Sequence, residues 1–382
     1  MSLAQVWPAE WKQFADPVSG ASITQLTDHK CHSYHLYFTN PGWYADGKKL
    51  LVAADRGNCT NLYGLDLVDG SLTQLTDLPK LVGEPTLLDT SKNPVREEAY
   101  LWVNRVLVAL DVQTLSLREL YRAPDGFTTS MTNATADGRY VMTALVEDLS
   151  HRFRVNMDHG YVGFHEYWEA HPLSRIIRIS VETGQVDVVW EERSWIGHIN
   201  TSPTQPHLMT FCHEGPWDRV DNRIWGLDLN TGQAWKIRPT GPEEAVGHEY
   251  WFKDGVHIGY HGSSRGQTIY GGIRYDNTDH VEAPFPVRRS WHFHSNALDL
   301  IVGDGCSETP YLLLWRFREG AFEGPRILAL HRGSFHVQIL HVHPRFSPDG
   351  RQVLYSCDPD GYGQVHLADV PDFESLPVLQ EG

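Results

Sequence analysis

Apolar and polar residues alternate through short runs along the chain, and the runs recur in the same order with the same punctuation. Alternation with period two places every second side chain on one face of an extended backbone, so each run predicts a half-buried β-strand rather than a helix. The clearest unit is Pro41 to Asp77, where Asp46-Gly47 precedes KKLLVAAD, followed by NLYGLDL, a second turn at Asp69-Gly70, and SLTQLTD. Asp-Gly pairs suit tight hairpins because both residues tolerate the positive φ that such turns need. Further copies start near Thr86, Thr132, Ile199, Gly247, His292 and His341. Most starts lie about 45 to 50 residues apart, the length of a four-stranded propeller blade. The pattern predicts an all-β chain in which residues 1–382 form a single domain, a seven-bladed β-propeller. Ser22 to Asp28, SITQLTD, nearly repeats Ser71 to Asp77, the fourth strand of the first unit. The N-terminal strand is therefore expected to pair with the last blade and close the ring, which removes exposed strand edges.

One unit is too long. Between YVMTALV and IIRISVETG of the third unit lies an insertion at about 147–175, with four histidines (His151, His159, His165, His171) and three arginines (Arg152, Arg154, Arg175). Residues 162–170 predict a short helix ended by His171-Pro172, because a residue before proline is pushed out of the helical region. Such a loop is expected to project over one end of the ring, where it can cover a site; the plain alternative is a solvated surface excursion.

Composition narrows the function classes. Thirty-two Lys and Arg against 48 Asp and Glu leave a net charge of −16, which argues against nucleic acid or an anionic membrane as partner. Hydrophobic residues make up 41% of the chain, enough for a sizeable core. The five cysteines, Cys31, Cys59, Cys212, Cys306 and Cys357, contain no C-x-x-C pair and suit free thiols in a reducing, cytoplasmic setting. MSLAQVWPAEW has neither the basic start nor the apolar run of a signal peptide, and no segment approaches the ~18 apolar residues of a membrane span.

Candidate chemistry concentrates in Ser334 to Gly350, SFHVQILHVHPRFSPDG. In an extended chain His341 and His343 point to the same face, so two imidazoles can meet one small target, and Gln338 lies three residues upstream. Imidazole with an amide oxygen suits a divalent cation that accepts mixed nitrogen and oxygen ligands; the alternative is ordinary strand polarity facing water. The repeat strengthens the metal reading. First strands of blades line a propeller's channel, and here they begin with His198 (GHIN), His248 (GHEYW), His292 (HFHSN) and His341 (HVHP), with His32 of CHSYH a further candidate. Three histidines and a glutamine would leave coordination positions open for substrate.

A second cluster is FCHEGPWDRVDNRIW, Phe211 to Trp225, followed by GHEYW. Arg223 opens a strand beside the one led by His248, and a guanidinium near an imidazole favours the neutral base; the alternative for Arg223 is a salt bridge to Asp218 or Asp221. Gly262-Ser263-Ser264-Arg265-Gly266 matches G-x-S-x-G but lies between two strands of one unit, not at a strand-to-helix elbow. No phosphate loop or dinucleotide fingerprint occurs.

These motifs carry a family resemblance. From CHSYHLYFT and DGKKLL through GHINTSP, FCHEGPWDRVDNRIW and GHEYW to HFHSN, VGDGC and QILHVHPRFSPDG, the chain resembles the oligogalacturonate lyases, seven-bladed propeller enzymes that use a divalent metal, typically manganese. The resemblance implies metal ligation by His292, Gln338, His341 and His343, a general base at His248 and its partner at Arg223. His294 is an additional imidazole that spacing alone does not separate from His292. The second unit and the insertion match less well, and Arg152 and Arg154 follow the family's basic loop only loosely. The implied reaction is β-elimination on short, acidic galacturonate oligosaccharides, with Arg152 and His198 as candidate substrate contacts. Two other readings stand beside it: a propeller lyase for another uronate polymer, of the ulvan-cleaving type, or a metal-dependent lactonase; and a non-catalytic propeller serving as an interaction platform.

Overall fold

Seven antiparallel sheets are built almost wholly from strands consecutive in sequence, the blades of the expected seven-bladed β-propeller. The structure is a computed structural model and describes residues 3–80, 86–157, 161–286 and 290–380; His159 of the insertion lies outside them. Contacts sort the chain into two compact units, residues 1–80 with 282–382 and residues 81–281. No helix is long and apolar enough to cross a membrane among the described residues.

The first unit holds the first, sixth and seventh blades. In the first, Lys49–Ala54, Asn61–Asp66 and Leu72–Gln74 follow one another as a meander, with Ser33–His35 and Trp43–Tyr44 along the other side of Lys49–Ala54. The sixth runs from Phe293–His294 through Leu300–Gly303 and Tyr311–Arg318 to Ala321–Leu330. The seventh takes only three strands from the C-terminal sequence, Arg345–Phe346, Gln352–Cys357 and Gln364–Asp369. Its fourth is the N-terminal Ser22–Gln25, with Ile23 opposite Ala368 and Gln25 opposite His366, as the internal repeat predicts. Two pairings go beyond that expectation: Lys12–Ala15 adds a fifth strand outside Ser22–Gln25, and Val6–Trp7 pairs with Leu72–Gln74 of the first blade. Between them Glu10 holds the buried Arg56 by two contacts of 2.9 Å, under the ring of Trp7.

The second unit holds the second to fifth blades in order. The fourth runs Ile196–Thr201, Leu208–His213, Ile224–Asp228, Gln233–Lys236, and the fifth Glu244–Trp251, His257–Ser264, Gln267–Arg274, Val281–Pro284. The insertion leaves the third blade after Tyr140–Glu147 and returns at Leu173–Ser180; its helix, Phe164–Glu169, falls inside the predicted span. Ser264 of the G-x-S-x-G match ends a hairpin strand and donates to Glu244, so no nucleophile elbow exists there.

The recurring Leu-Asp pair has a local cause. Asp66, Asp111 and Asp228 each end a strand and accept hydrogen bonds from the N–H groups two and three residues on, which caps the turn into the next strand. The apolar faces then stack blade on blade. Ile23, Val302, Leu314, Val342, Val353 and Ala368 belong to one buried cluster in the first unit, and Ile224, Val246, Ile258, Tyr260 and Ile269 to one in the second.

Several histidines are buried with the core. Desolvation pulls His35, His331 and His366 down to about 4, against about 6.5 in an unfolded chain. Between those values the unfolded chain binds protons that the folded one excludes, so stability must fall as pH drops from 6.5 toward 4, by up to about 1.4 kcal/mol per pH unit for each such residue. Urea unfolding at pH 7 and pH 5 is expected to show a clearly lower midpoint at pH 5, and His366→Phe, which keeps a ring against Tyr355, should flatten the difference. Equal midpoints for the unaltered protein would contradict the buried neutral state.

Candidate functional site

In the first unit three imidazoles converge. His292 is anchored by Asp304, a fully buried carboxylate. One oxygen accepts from the backbone N–H of Trp291 and His292 at 2.7 and 2.9 Å, and the other lies 2.6 Å from His292 Nδ1. An ionised carboxylate only accepts, so Nδ1 carries the proton and Nε2 keeps its lone pair. His341 and His343 arrive by a different route from the plain extended strand that the sequence suggested. Gln338–Leu340 is a 3-10 turn, His341 leaves it in extended geometry, and His343 takes a left-handed φ of 46° before the strand starts at Arg345. The left-handed residue turns the second ring back toward the first, the outcome expected of an extended chain reached through a kink. Ring centroids are 5.5 Å apart for His341 and His343, 5.5 Å for His292 and His341, and 4.5 Å for His292 and His343. One ring nitrogen from each lies within 4.8 Å of the others.

The donor set fits a metal. His341 is buried, desolvation and then His292 hold it down at about 4, and its Nδ1 has no hydrogen-bond partner. A buried polar nitrogen left so is costly unless a ligand takes its lone pair. Three imidazoles backed by a carboxylate suit a divalent transition ion. Tyr37 and Phe38 wall the cluster at 4.9 Å from His343 and 5.4 Å from His292. Gln338 opens the 3-10 turn and its carbonyl accepts from the His341 N–H. The structure also separates His294 from His292: the His294 ring accepts from the Phe346 N–H at 3.2 Å and packs on Phe346 as part of the core. His32 accepts from the Gly363 N–H and lies against Tyr362, outside the cluster.

The second unit holds His198, His248 and Arg223, placed by the same device twice. In the fourth blade Gly197 pairs with Cys212 and Asn200 with Thr210, so His198 and Ile199 face the single residue Phe211. In the fifth, Gly247 pairs with His261 and Tyr250 with Gly259, so His248 and Glu249 face Tyr260. These are β-bulges, and in each the histidine has a left-handed φ, 44° for His198 and 49° for His248. The two rings lie nearly parallel, 5.7 Å apart. Glycine precedes each histidine, and at Gly247 the space is taken: a Cβ there would meet the Arg223 stem at 2.4 Å.

Arg223 is buried and bound in fork fashion by Glu214, at 2.9 and 3.1 Å. Its ion pair is thus neither with Asp218 nor with Asp221, the partners its neighbourhood in sequence offered; Asp221 instead pairs with His213 and Lys236. Burial alone would raise the Glu214 carboxyl, but Arg223 and His198, whose Nε2 lies 3.6 Å away, hold it at about 2. Trp217 packs under Arg223 and edge-on to His248 at 5.1 Å. Glu249 is fully buried, neither of its carboxylate oxygens has a hydrogen-bond partner, and burial pushes it up to about 8. The insertion settles on this blade: Trp168 lies against Gly215, Arg219 stacks over Trp168, and Tyr167 packs on Trp195. Arg152 is exposed, its guanidinium over the Phe153 ring.

Asp304, Glu214, His261 and Glu249 were not picked out by motif. Asp304 stands in the VGDGC stretch, but nothing in its spacing links it to His292; the register of Phe293–His294 on Leu300–Gly303 does.

The fold and the imidazole cluster define a seven-bladed propeller with a candidate metal centre. A family model described as oligogalacturonate lyase matches residues 1–374. The oligogalacturonate lyase of Dickeya dadantii is 29% identical over 389 residues, covering 94% of this chain and 96% of its own. A solved oligogalacturonate lyase in complex with manganese superposes with a TM-score of 0.86 at 25% identity, over 97% of this chain and 99% of that one. That of Vibrio parahaemolyticus gives 0.87 at 25% identity with the same coverage. The chain belongs to the oligogalacturonate lyase family.

If Asp304 orients His292 for a cation, Asp304→Asn should weaken binding of a divalent transition ion by about 10- to 100-fold. Calorimetric titration of the metal-stripped protein measures this, and unchanged affinity in a folded variant would remove Asp304 from the centre.

Proposed function

We propose that this protein cleaves short oligogalacturonides by β-elimination, using a divalent metal, Mn2+, with His248 as general base. The observation that carries the metal is the convergence of His292, His341 and His343 with Asp304 fixing the first ring. Gln338 is proposed as the oxygen ligand beside them. The manganese held by the solved relative supports the choice of ion.

The chemistry asks for two things at once. A proton on carbon must be removed next to a carboxylate whose charge opposes a carbanion, and a carbon–oxygen bond must break on the neighbouring atom. The ion's contribution when bound is to draw charge from the uronate carboxylate and so favour the enolate-like transition state. His248 takes the C5 proton; the C5 electron pair forms the C4=C5 double bond, the C4–O bond breaks, and the departing oxygen takes a proton from water to give the second product. Arg223, locked by Glu214, supplies cationic character beside the base without being free to wander. His198, carried by the sister bulge, and Arg152 of the insertion are proposed to contact the substrate.

Pectin-derived oligomers should yield an unsaturated product, detected by ultraviolet absorbance of the new double bond. That activity should vanish on chelation and return with Mn2+. His248→Ala should lower turnover by about 100-fold or more while leaving metal affinity unchanged. A chelated protein shown by metal analysis to be ion-free yet fully active would sink the metal role. A fully active His248→Ala would sink the base.

A further inference from the structure

We propose that His261 is the positioning residue for His248: its Nε2 accepts the Nδ1 proton of His248, which leaves the lone pair on His248 Nε2 to receive the proton from carbon. The inference rests on the reading of His248 as the base. It deepens that reading by assigning the tautomer and the group that sets it.

The geometry is local to the fifth blade. His261 sits opposite Gly247 in the register of Glu244–Trp251 on His257–Ser264, directly beneath the bulge that throws His248 into left-handed geometry. Its Nε2 lies 3.3 Å from His248 Nδ1, and the rings meet nearly edge to face at 5.3 Å and 65°. The indole of Trp217 touches both rings, at 5.1 Å from His248 and 5.4 Å from His261. His261 is 1% exposed, so water does not compete for its nitrogen, and its ring is held where an unanchored one would rotate.

A neutral imidazole has one N–H and one lone pair, and only two arrangements make a hydrogen bond across this contact. If His261 donated, the lone pair of His248 would be spent on Nδ1 and its Nε2 would carry a proton, useless as a base. If His248 donates, its Nε2 is the unprotonated nitrogen, and the imidazolium formed after proton abstraction keeps a partner for its Nδ1–H. Only the second arrangement is compatible with base catalysis.

The sister bulge shows that the position is specialised. The counterpart of His261 across from Gly197 is Cys212, and the ring above it, His198, turns to the Glu214 carboxylate. The same backbone thus presents one imidazole beside an anion and another beside an imidazole. A carboxylate partner would favour a protonated ring, suited to gripping an anionic sugar, whereas an imidazole partner imposes no such charge.

His261→Leu cannot accept the proton, and kcat is expected to fall about 100-fold with KM and metal affinity unchanged. His261→Gln, whose amide oxygen can reach the same place, should restore kcat to within about ten-fold of the unaltered enzyme. A merely structural role would not separate these variants, nor move the acidic limb of the kcat–pH profile in His261→Leu alone. Tautomers are read directly in the unaltered protein by 15N-histidine NMR, with His248 assigned from the signals lost in His248→Ala. The Nδ1–H form is expected, and finding the Nε2–H form overturns the inference even if neither His261 variant folds. If His248→Ala is inactive while His261→Leu keeps full kcat, the positioning role alone falls. If His248→Ala is fully active, the base assignment falls and takes this inference with it.

Discussion

Aiming buried imidazoles at one point is the constraint on which the candidate metal centre of the first unit depends. A metal takes the lone pair of an unprotonated ring and cannot use the protonated one. Tyr37, Phe38, Phe335 and Trp291 pack around His292, His341 and His343, and burial holds the His341 ring down at about 4. Desolvation alone leaves each ring free to spin, so the buried Asp304 carboxylate supplies direction as well, gripping one ring and the backbone beneath it. Direction and neutrality come from different residues, which is why a group of histidines on an apolar wall is not by itself a metal centre.

The blade repeat was legible because short apolar runs and capped turns are local: Asp66, Asp111 and Asp228 hold their turns by bonds to residues two and three away, while strands such as Leu208–His213 are buried on both faces rather than half-buried as period-two alternation predicts. The closing strand was legible because SITQLTD copies SLTQLTD, and copies occupy like places. What could not be read were contacts set by register between strands. Nothing in FCHEGPWDRVDNRIW says that Arg223 turns to Glu214 rather than to the nearer Asp221, and nothing in VHIGYHGSS places His261 under His248. Bulges hide in sequence for a related reason. One extra residue reverses the facing of everything after it, and only the partner strand reveals where the extra residue lies. The approach of His341 and His343 was likewise invisible: the sequence brought the two rings together along a plain extended strand, and they meet instead through a turn and a kink.

The fourth and fifth blades illustrate how a repeat diverges without losing its geometry. Gly197-His198-Ile199 and Gly247-His248-Glu249 trace the same bulge, yet what faces each ring differs, Glu214 in one and His261 in the other. The third position differs as sharply: Ile199 is an ordinary core residue, while Glu249 is an acid with no hydrogen-bond partner for its carboxylate, lifted to about 8 by burial. A carboxyl retained where the repeat offers an isoleucine is a cost in stability that packing does not explain.

The pairing of Ser22–Gln25 with Gln364–Asp369 has a bearing on how the molecule is made. On the ribosome the early strand emerges more than three hundred residues before its mate, and until then Ile23 has no finished sheet to enter. Closing so long a loop is slow, and an apolar edge waits unpaired meanwhile. Glu10, clasped to Arg56, and Val6–Trp7, paired to Leu72–Gln74, give the nascent chain an early mooring on the first blade, so the waiting segment is tethered near its own start rather than left adrift.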